Sequence, residues 1–150
     1  MQIFIGDIWD FDGPILNWIV IPTNTQIKND GDAIMGRGLA LEANTKYSIL
    51  ATNYGYFLSH SVNKTVPYFC SITNLILFPI KIHWHDDSDM DLIITNCKMM
   101  ADRILELHLS GKESHVYLPA LGCGNGKLSW NDVAAAIRPI LSDRFTVVLE

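Results

Sequence analysis

The sequence predicts an α/β sandwich built on a largely parallel central sheet. Three observations lead there. Short β-branched apolar runs alternate with stretches of helical spacing. Two glycine-rich loops each follow the end of an apolar run. No linker, repeat or charge block interrupts the 150 residues, so residues 1–150 read as one domain, long enough to bury a core without staples.

Each element has its own justification. Gln2–Ile5 alternates weakly and reads as an edge strand, broken by Gly6-Asp7. Leu16–Pro22 is almost continuously apolar and β-branched, the pattern of a buried central strand, and Pro22 stops it. Thr23–Gly38 is polar and glycine-rich, a long loop of the kind that is usually functional inside a compact domain. Leu39–Lys46 and Ser48–Ser59 have helical spacing. Val66–Ile72 and Asn74–Ile80 read as adjacent strands. Ser88-x-x-Asp91 is a capping-box signal ahead of Ile93, Cys97, Met100, Ile104 and Leu107, with Gly111 as the stop. His115–Leu118 is a short buried strand ending at Pro119. Ser129-x-x-Asp132 is a second capping box, opening a helix through Trp130, Val133, Ile137 and Leu141, and Phe145–Leu149 is the closing strand.

Composition excludes several function classes. Hydrophobic residues make up 49% and charged residues 18%, which rules out a disordered or collagen-like chain. A formal net charge of −5 argues against a nucleic-acid coat protein, though not against local binding of a nucleotide or a modified nucleic-acid end. The longest apolar runs, around Ile15–Val20 and Leu75–Ile80, are too short to span a bilayer. The first residues lack the basic region of a signal peptide, so a cytosolic protein without membrane contact is expected. Cys70, Cys97 and Cys123 are far apart and form no CxxC pair, so neither a disulfide framework nor a zinc ribbon is indicated. His83 and His85 beside Asp86 and Asp87 read either as a His-x-His metal site or as a wet polar turn after a strand.

The loops carry the chemistry. Gly36-Arg37-Gly38 precedes a helix, and Gly122-x-Gly124-x-Gly126 precedes the helix opened at Ser129. Glycines let backbone N–H groups face a ligand, and a helix start favours an anion. Two such loops form either a diphosphate clasp or two structural turns. Neither a Walker loop nor the dinucleotide-fold glycine spacing is present. Ligands of such folds bind outside the carboxyl ends of the strands. Both loops, and Lys81 after a third strand, belong there, so the three should converge on one crevice.

Several motifs in order carry a resemblance. Gly6-Asp7-Ile8, Pro22-Thr23-Asn24, Gly36-Arg37-Gly38-Leu39-Ala40-Leu41-Glu42 and Leu118-Pro119-Ala120-Leu121-Gly122-Cys123-Gly124-Asn125-Gly126-Lys127-Leu128-Ser129-Trp130 together resemble a macrodomain, the ADP-ribose-binding fold, over almost the whole chain. The resemblance implies a three-layer α/β/α fold with a mixed sheet of about six strands. Within the family, Met35-Gly36-Arg37-Gly38-Leu39-Ala40 and Phe78-Pro79-Ile80-Lys81-Ile82-His83-Trp84 resemble the branch of DarG antitoxin macrodomains and terminal ADP-ribose glycohydrolases. The second glycine loop reads Gly126-Lys127 where some members carry an acid, as on the DarG side of the branch.

The resemblance implies residue roles. Asp7 would accept a hydrogen bond from the adenine amino group, with Ile8 walling the ring, unless it is simply a turn aspartate. Asn24 would bind ribose hydroxyls, the alternative being an Asx-turn after Pro22. Gly36, Gly38, Leu39, Leu121, Gly122, Cys123, Gly124, Asn125 and Gly126 would hold the diphosphate and distal ribose, largely through backbone donors. Cys123 would serve through its N–H rather than as a nucleophile. Lys81 would be the catalytic lysine, attacking the anomeric carbon as a neutral amine. His83 would be an acid–base helper and Trp84 a wall for an attached base, both auxiliary. No metal or other cofactor is expected. Four activities stay open on these residues: hydrolysis of ADP-ribose from a DNA base, favoured by the DarG likeness; hydrolysis of ADP-ribosyl-glutamate or -aspartate on protein; an ADP-ribose 1″-phosphate phosphatase; and a reader without chemistry. From family habits, a monomeric, antitoxin-like protein of a bacterium or a phage, working in the host cytoplasm, is expected.

Overall fold

The computed structural model describes residues 1–150. Six strands form one sheet: β1 (Gln2–Ile5), β2 (Asn17–Thr23), β3 (Tyr68–Cys70), β4 (Leu75–Pro79), β5 (His115–Leu118) and β6 (Phe145–Leu149), in the order β1-β6-β5-β2-β4-β3. All neighbours run parallel except β3, which is antiparallel to β4. Four helices cover the sheet: α1 (Gly38–Lys46), α2 (Leu50–His60), α3 (Met90–Leu109) and α4 (Trp130–Ile137), with a 3-10 turn at Ile8–Phe11. The sheet is mixed and largely parallel, as the sequence leads one to expect, and no helix is long and apolar enough to cross a membrane.

Side-chain alternation divides the core into two layers. Val20, Ile76, Phe78, Val116, Leu118 and Val147 face α3 and α4, where they meet Ile93, Cys97, Met100, Val133 and Ile137. Ile19, Ile21, Leu75, Leu77 and Val148 face the other way, onto Ala43, Leu50, Tyr54 and Leu58 of α1 and α2. The continuous apolarity of β2 and β4 follows from this, since a strand covered on both faces has no polar side to show. Each such side chain contributes about 1.5–3 kcal/mol by leaving water. β1, at the sheet edge, is exposed along its whole length.

Both capping boxes need correction. The cap of α3 is Asp89, not Ser88: its carboxylate accepts from the N–H groups of Asp91 at 3.0 Å and Leu92 at 3.3 Å. A carboxylate also complements the helix dipole better than a hydroxyl. Ser88 is buried against Gly126 instead, and its hydroxyl has no partner. Ser129 does precede α4, but its side chain makes no capping bond, and Leu141 lies beyond the helix end.

The crevice at the carboxyl ends of the strands

Five parallel strands bring their carboxyl ends to one side of the sheet. A crevice of about 1020 Å³ opens there. It is lined by the residues that follow those ends: Gly6 and Ile8 after β1, Asn24 after β2, Lys81 after β4, Pro119 after β5 and Glu150 after β6. A smaller hollow of about 570 Å³ lies among the residues at the opposite ends of β2, β5 and β6, and contains none of the predicted site residues.

The first glycine loop enters the crevice through Gly36, Arg37 and Gly38. Arg37 holds the N-cap position of α1 but offers no side-chain acceptor. The N–H groups of Gly38, Leu39 and Ala40 therefore have no partner within the protein. Gly38 takes φ +54°, which a side chain would resist. The second loop is pinned from behind. Ser88 donates its N–H to Gly126 O at 3.1 Å, and Leu128 to Gly122 O at 2.9 Å. A Cβ on Gly126 would strike the Ser88 hydroxyl and the Gly122 carbonyl. Pinned in this way, the loop leaves the N–H groups of Gly124, Asn125 and Gly126 without an internal acceptor. Consecutive free amides beside an uncapped helix start make a receptor for an anion.

Lys81 projects from a rigid support. Ile80 N–H donates to Thr23 O at 3.0 Å and Asp89 N–H to Ile80 O at 2.8 Å. On its other side, Thr25 donates both its N–H and its hydroxyl to Ile82 O at 3.0 Å. Asn96, buried in α3, donates to Pro79 O at 2.9 Å. The side chain of Lys81 is half-buried, lines the crevice and makes no ion pair. Cys123 also lines it, but burial raises its thiol pKa, and its Sγ donates to Leu121 O at 3.4 Å.

The predicted residues do not all stand in the crevice. Ile8, Asn24, Gly36, Gly38, Leu39, Lys81, Trp84 and Gly122 through Gly126 line it. Leu121 does not: it is fully buried in the layer against α3 and α4 and supports the loop from beneath. His83 lies outside the lining, whereas its neighbour His85 is part of it. Asp7 also stands outside, capping the 3-10 turn by accepting from Trp9 N–H at 3.0 Å. Asn24 forms the Asx-turn, accepting from Gln26 N–H at 2.9 Å and donating to Ile34 O at 3.1 Å. The N–H of Cys123 closes a turn onto Ala120 O at 3.2 Å. Sequence reasoning missed Arg37 and His85 as lining residues, because nothing in their spacing distinguishes a crevice rim from solvated loop.

No family model matches the chain. Among solved structures, the macrodomain of Thermus aquaticus DarG superposes with a TM-score of 0.76 over 99% of this chain and 97% of that one, at 24% identity. The fold is that of a DarG-like macrodomain. A DarG macrodomain from Mycobacterium tuberculosis gives 0.69 at 24% identity, covering 99% of this chain and 98% of that one. Thermosipho africanus DarTG in complex with ADP-ribose gives 0.72 at 20% identity, over 100% of this chain and 42% of that one. In sequence, this DarG-like macrodomain is 38% identical over 64 residues to the DNA ADP-ribosyl glycohydrolase of Thermus aquaticus, covering 43% of this chain. It is 30% identical over 107 residues to that of Mycobacterium tuberculosis, covering 67% of this chain. The macrodomain spans 17% and 29% of the lengths of these two relatives.

Proposed function

We propose that this macrodomain binds ADP-ribose in the crevice and hydrolyses it from a modified DNA base, with Lys81 as nucleophile and no metal ion. The observation that carries the reading is the placement of a half-buried, unpaired Lys81 in a crevice with two sets of free loop amides. The relatives named DNA ADP-ribosyl glycohydrolase and the DarTG structure with ADP-ribose support it.

The chemistry follows from the parts. Free amides of Gly38–Ala40 and Gly124–Gly126 hold the diphosphate and fix the distal ribose. The neutral Lys81 amine attacks the anomeric carbon. A carbon–nitrogen bond forms while the glycosidic bond breaks toward the base, which leaves with the bonding electrons and takes a proton. The new secondary amine gives up its extra proton to solvent. Water then displaces the lysine, releasing ADP-ribose and restoring the amine. Loop amides placed where charge develops lower the barrier without reorganising.

The test is release of ADP-ribose from a modified single-stranded oligonucleotide in the presence of EDTA, alongside ADP-ribosyl-glutamate protein and ADP-ribose 1″-phosphate. Turnover of the oligonucleotide alone is expected. An inert oligonucleotide with either other substrate cleaved moves the assignment to that substrate, and three inert substrates leave a reader.

A further inference from the structure

Beyond Lys81 the chain continues as Ile82-His83-Trp84-His85-Asp86-Asp87, and every one of these residues is exposed. Trp84 keeps 47% of its surface in solvent, a high value for a side chain with so large an apolar face. Its place is nonetheless fixed. Its backbone N–H donates to Gln26 Oε1 at 2.9 Å, pinning the main chain at this residue, and its ring meets His85 edge-on with centroids 5.4 Å apart. The guanidinium of Arg37, from the opposite loop, lies 6.0 Å from the indole centroid. The rings of His83 and His85 stack at 5.7 Å. Three π faces and one planar cation therefore gather on the rim beside Lys81.

We infer that this rim is a stacking platform for the nucleobases flanking the modified one in a single strand. The inference rests on the crevice being a DNA ADP-ribosyl glycohydrolase site, and it adds a seat at the rim of that crevice, which Arg37, Trp84 and His85 line. Stacking on aromatic and guanidinium faces accepts any base, because every base has a π face. Charge does not account for the rim. Asp86 and Asp87 stand beside the rings, and Lys127 is drawn to Asp87 at 3.5 Å. Grooves that track phosphates carry an excess of cations, whereas Arg37, Lys81 and Lys127 here share the lining with Glu42, Asp86, Asp87 and Glu150. A duplex keeps its bases stacked on one another, so the platform selects single strands. A modified glutamate on a protein brings no flanking base and gains nothing from it.

The experiment compares kcat/KM for a modified single-stranded oligonucleotide with that for the same modified mononucleotide. The wild-type protein is expected to favour the oligonucleotide by about 10-fold or more, in keeping with the worth of one stacked base. Trp84→Ala is expected to bring that ratio to within about twofold, Arg37→Ala to lower it partly, and Trp84→Phe to retain most of it. Between about 50 and 200 mM salt the ratio should hold, since stacking releases no counterions. General structural damage would depress both substrates together and leave the ratio alone. A wild-type ratio near one, or a ratio that survives Trp84→Ala, overturns the platform and leaves the hydrolase reading standing. A ratio that falls steeply with salt and ignores Trp84 assigns the preference to phosphates and also overturns it. Wild-type protein inert toward both nucleotides yet active on ADP-ribosyl-glutamate overturns both readings.

Discussion

Lys81 and Cys123 are two side chains of the crevice with nucleophilic chemistry, and their surroundings separate them. The thiol is turned back onto Leu121 O, and burial disfavours its thiolate. The lysine has no such tie. Lys81→Ala should therefore abolish turnover while ADP-ribose affinity, measured by calorimetry, stays within about threefold, because the proposed complex holds the diphosphate by backbone amides rather than by this side chain. Lys81→Arg should be equally inactive, since a guanidinium remains protonated and cannot attack. Cys123→Ala should lose less than about tenfold in the same assay, as a thiol without thiolate character adds little. Equal losses at the two positions would contradict the lysine mechanism.

Asn96 and Asp89 hold together the elements that carry the lysine. Asn96 spends its amide on Thr65 O at 2.8 Å and on Pro79 O at 2.9 Å, two residues before Lys81. Asn96→Ala leaves both carbonyls without this donor and should cost about 1–3 kcal/mol in urea unfolding, with slower turnover as β4 loosens. Asp89→Ala removes the cap of α3 and should cost about 1 kcal/mol. That cap also shows where sequence reading reaches its limit. The strands were legible because their apolarity is local: Ile19-Val20-Ile21 and Leu75–Phe78 can only be buried on both faces. Ser88-x-x-Asp91 looks like a cap, yet tertiary contact decides otherwise, pressing Ser88 behind the second glycine loop and giving its neighbour the helix start. The crevice was legible as three loops, since each motif follows a strand end. Which amides stay free was not, because that depends on partners such as Ala120 O and Gly122 O inside the folded loop. The same holds for the antiparallel course of β3 and the pairing of β1 with β6, which no local pattern records.

At the scale of the molecule, binding and protonation both feed into stability. ADP-ribose at about 100 times its Kd should add about 2.7 kcal/mol, which for a domain of this size raises Tm by about 5–10 °C in calorimetry. Protonation acts through His115, whose ring shares a hydrogen bond of 2.8 Å with Thr146 between β5 and β6 and whose pKa burial lowers. The unfolded chain then takes up the proton more readily than the folded one. The contribution of His115 is complete above the ordinary imidazole value of about 6.5 and is lost as pH falls through the lower folded value. The urea midpoint should therefore drop on acidification across this range, and His115→Gln should flatten that drop.

The pairing of Gln2–Ile5 with Thr146–Leu149 has a consequence for synthesis. Within this domain the N-terminal strand has one neighbour, and it is the domain's C-terminal strand. β2 likewise waits for β5, nearly a hundred residues later in translation at Asn17 and His115. During synthesis Phe4 can already meet Phe11, but Gln2–Ile5 has no strand to pair with until residues 145–149 clear the exit tunnel. Folding in the order of synthesis thus cannot complete this sheet from β1 onward, and Gln2–Ile5 is the strand that waits longest for its partner.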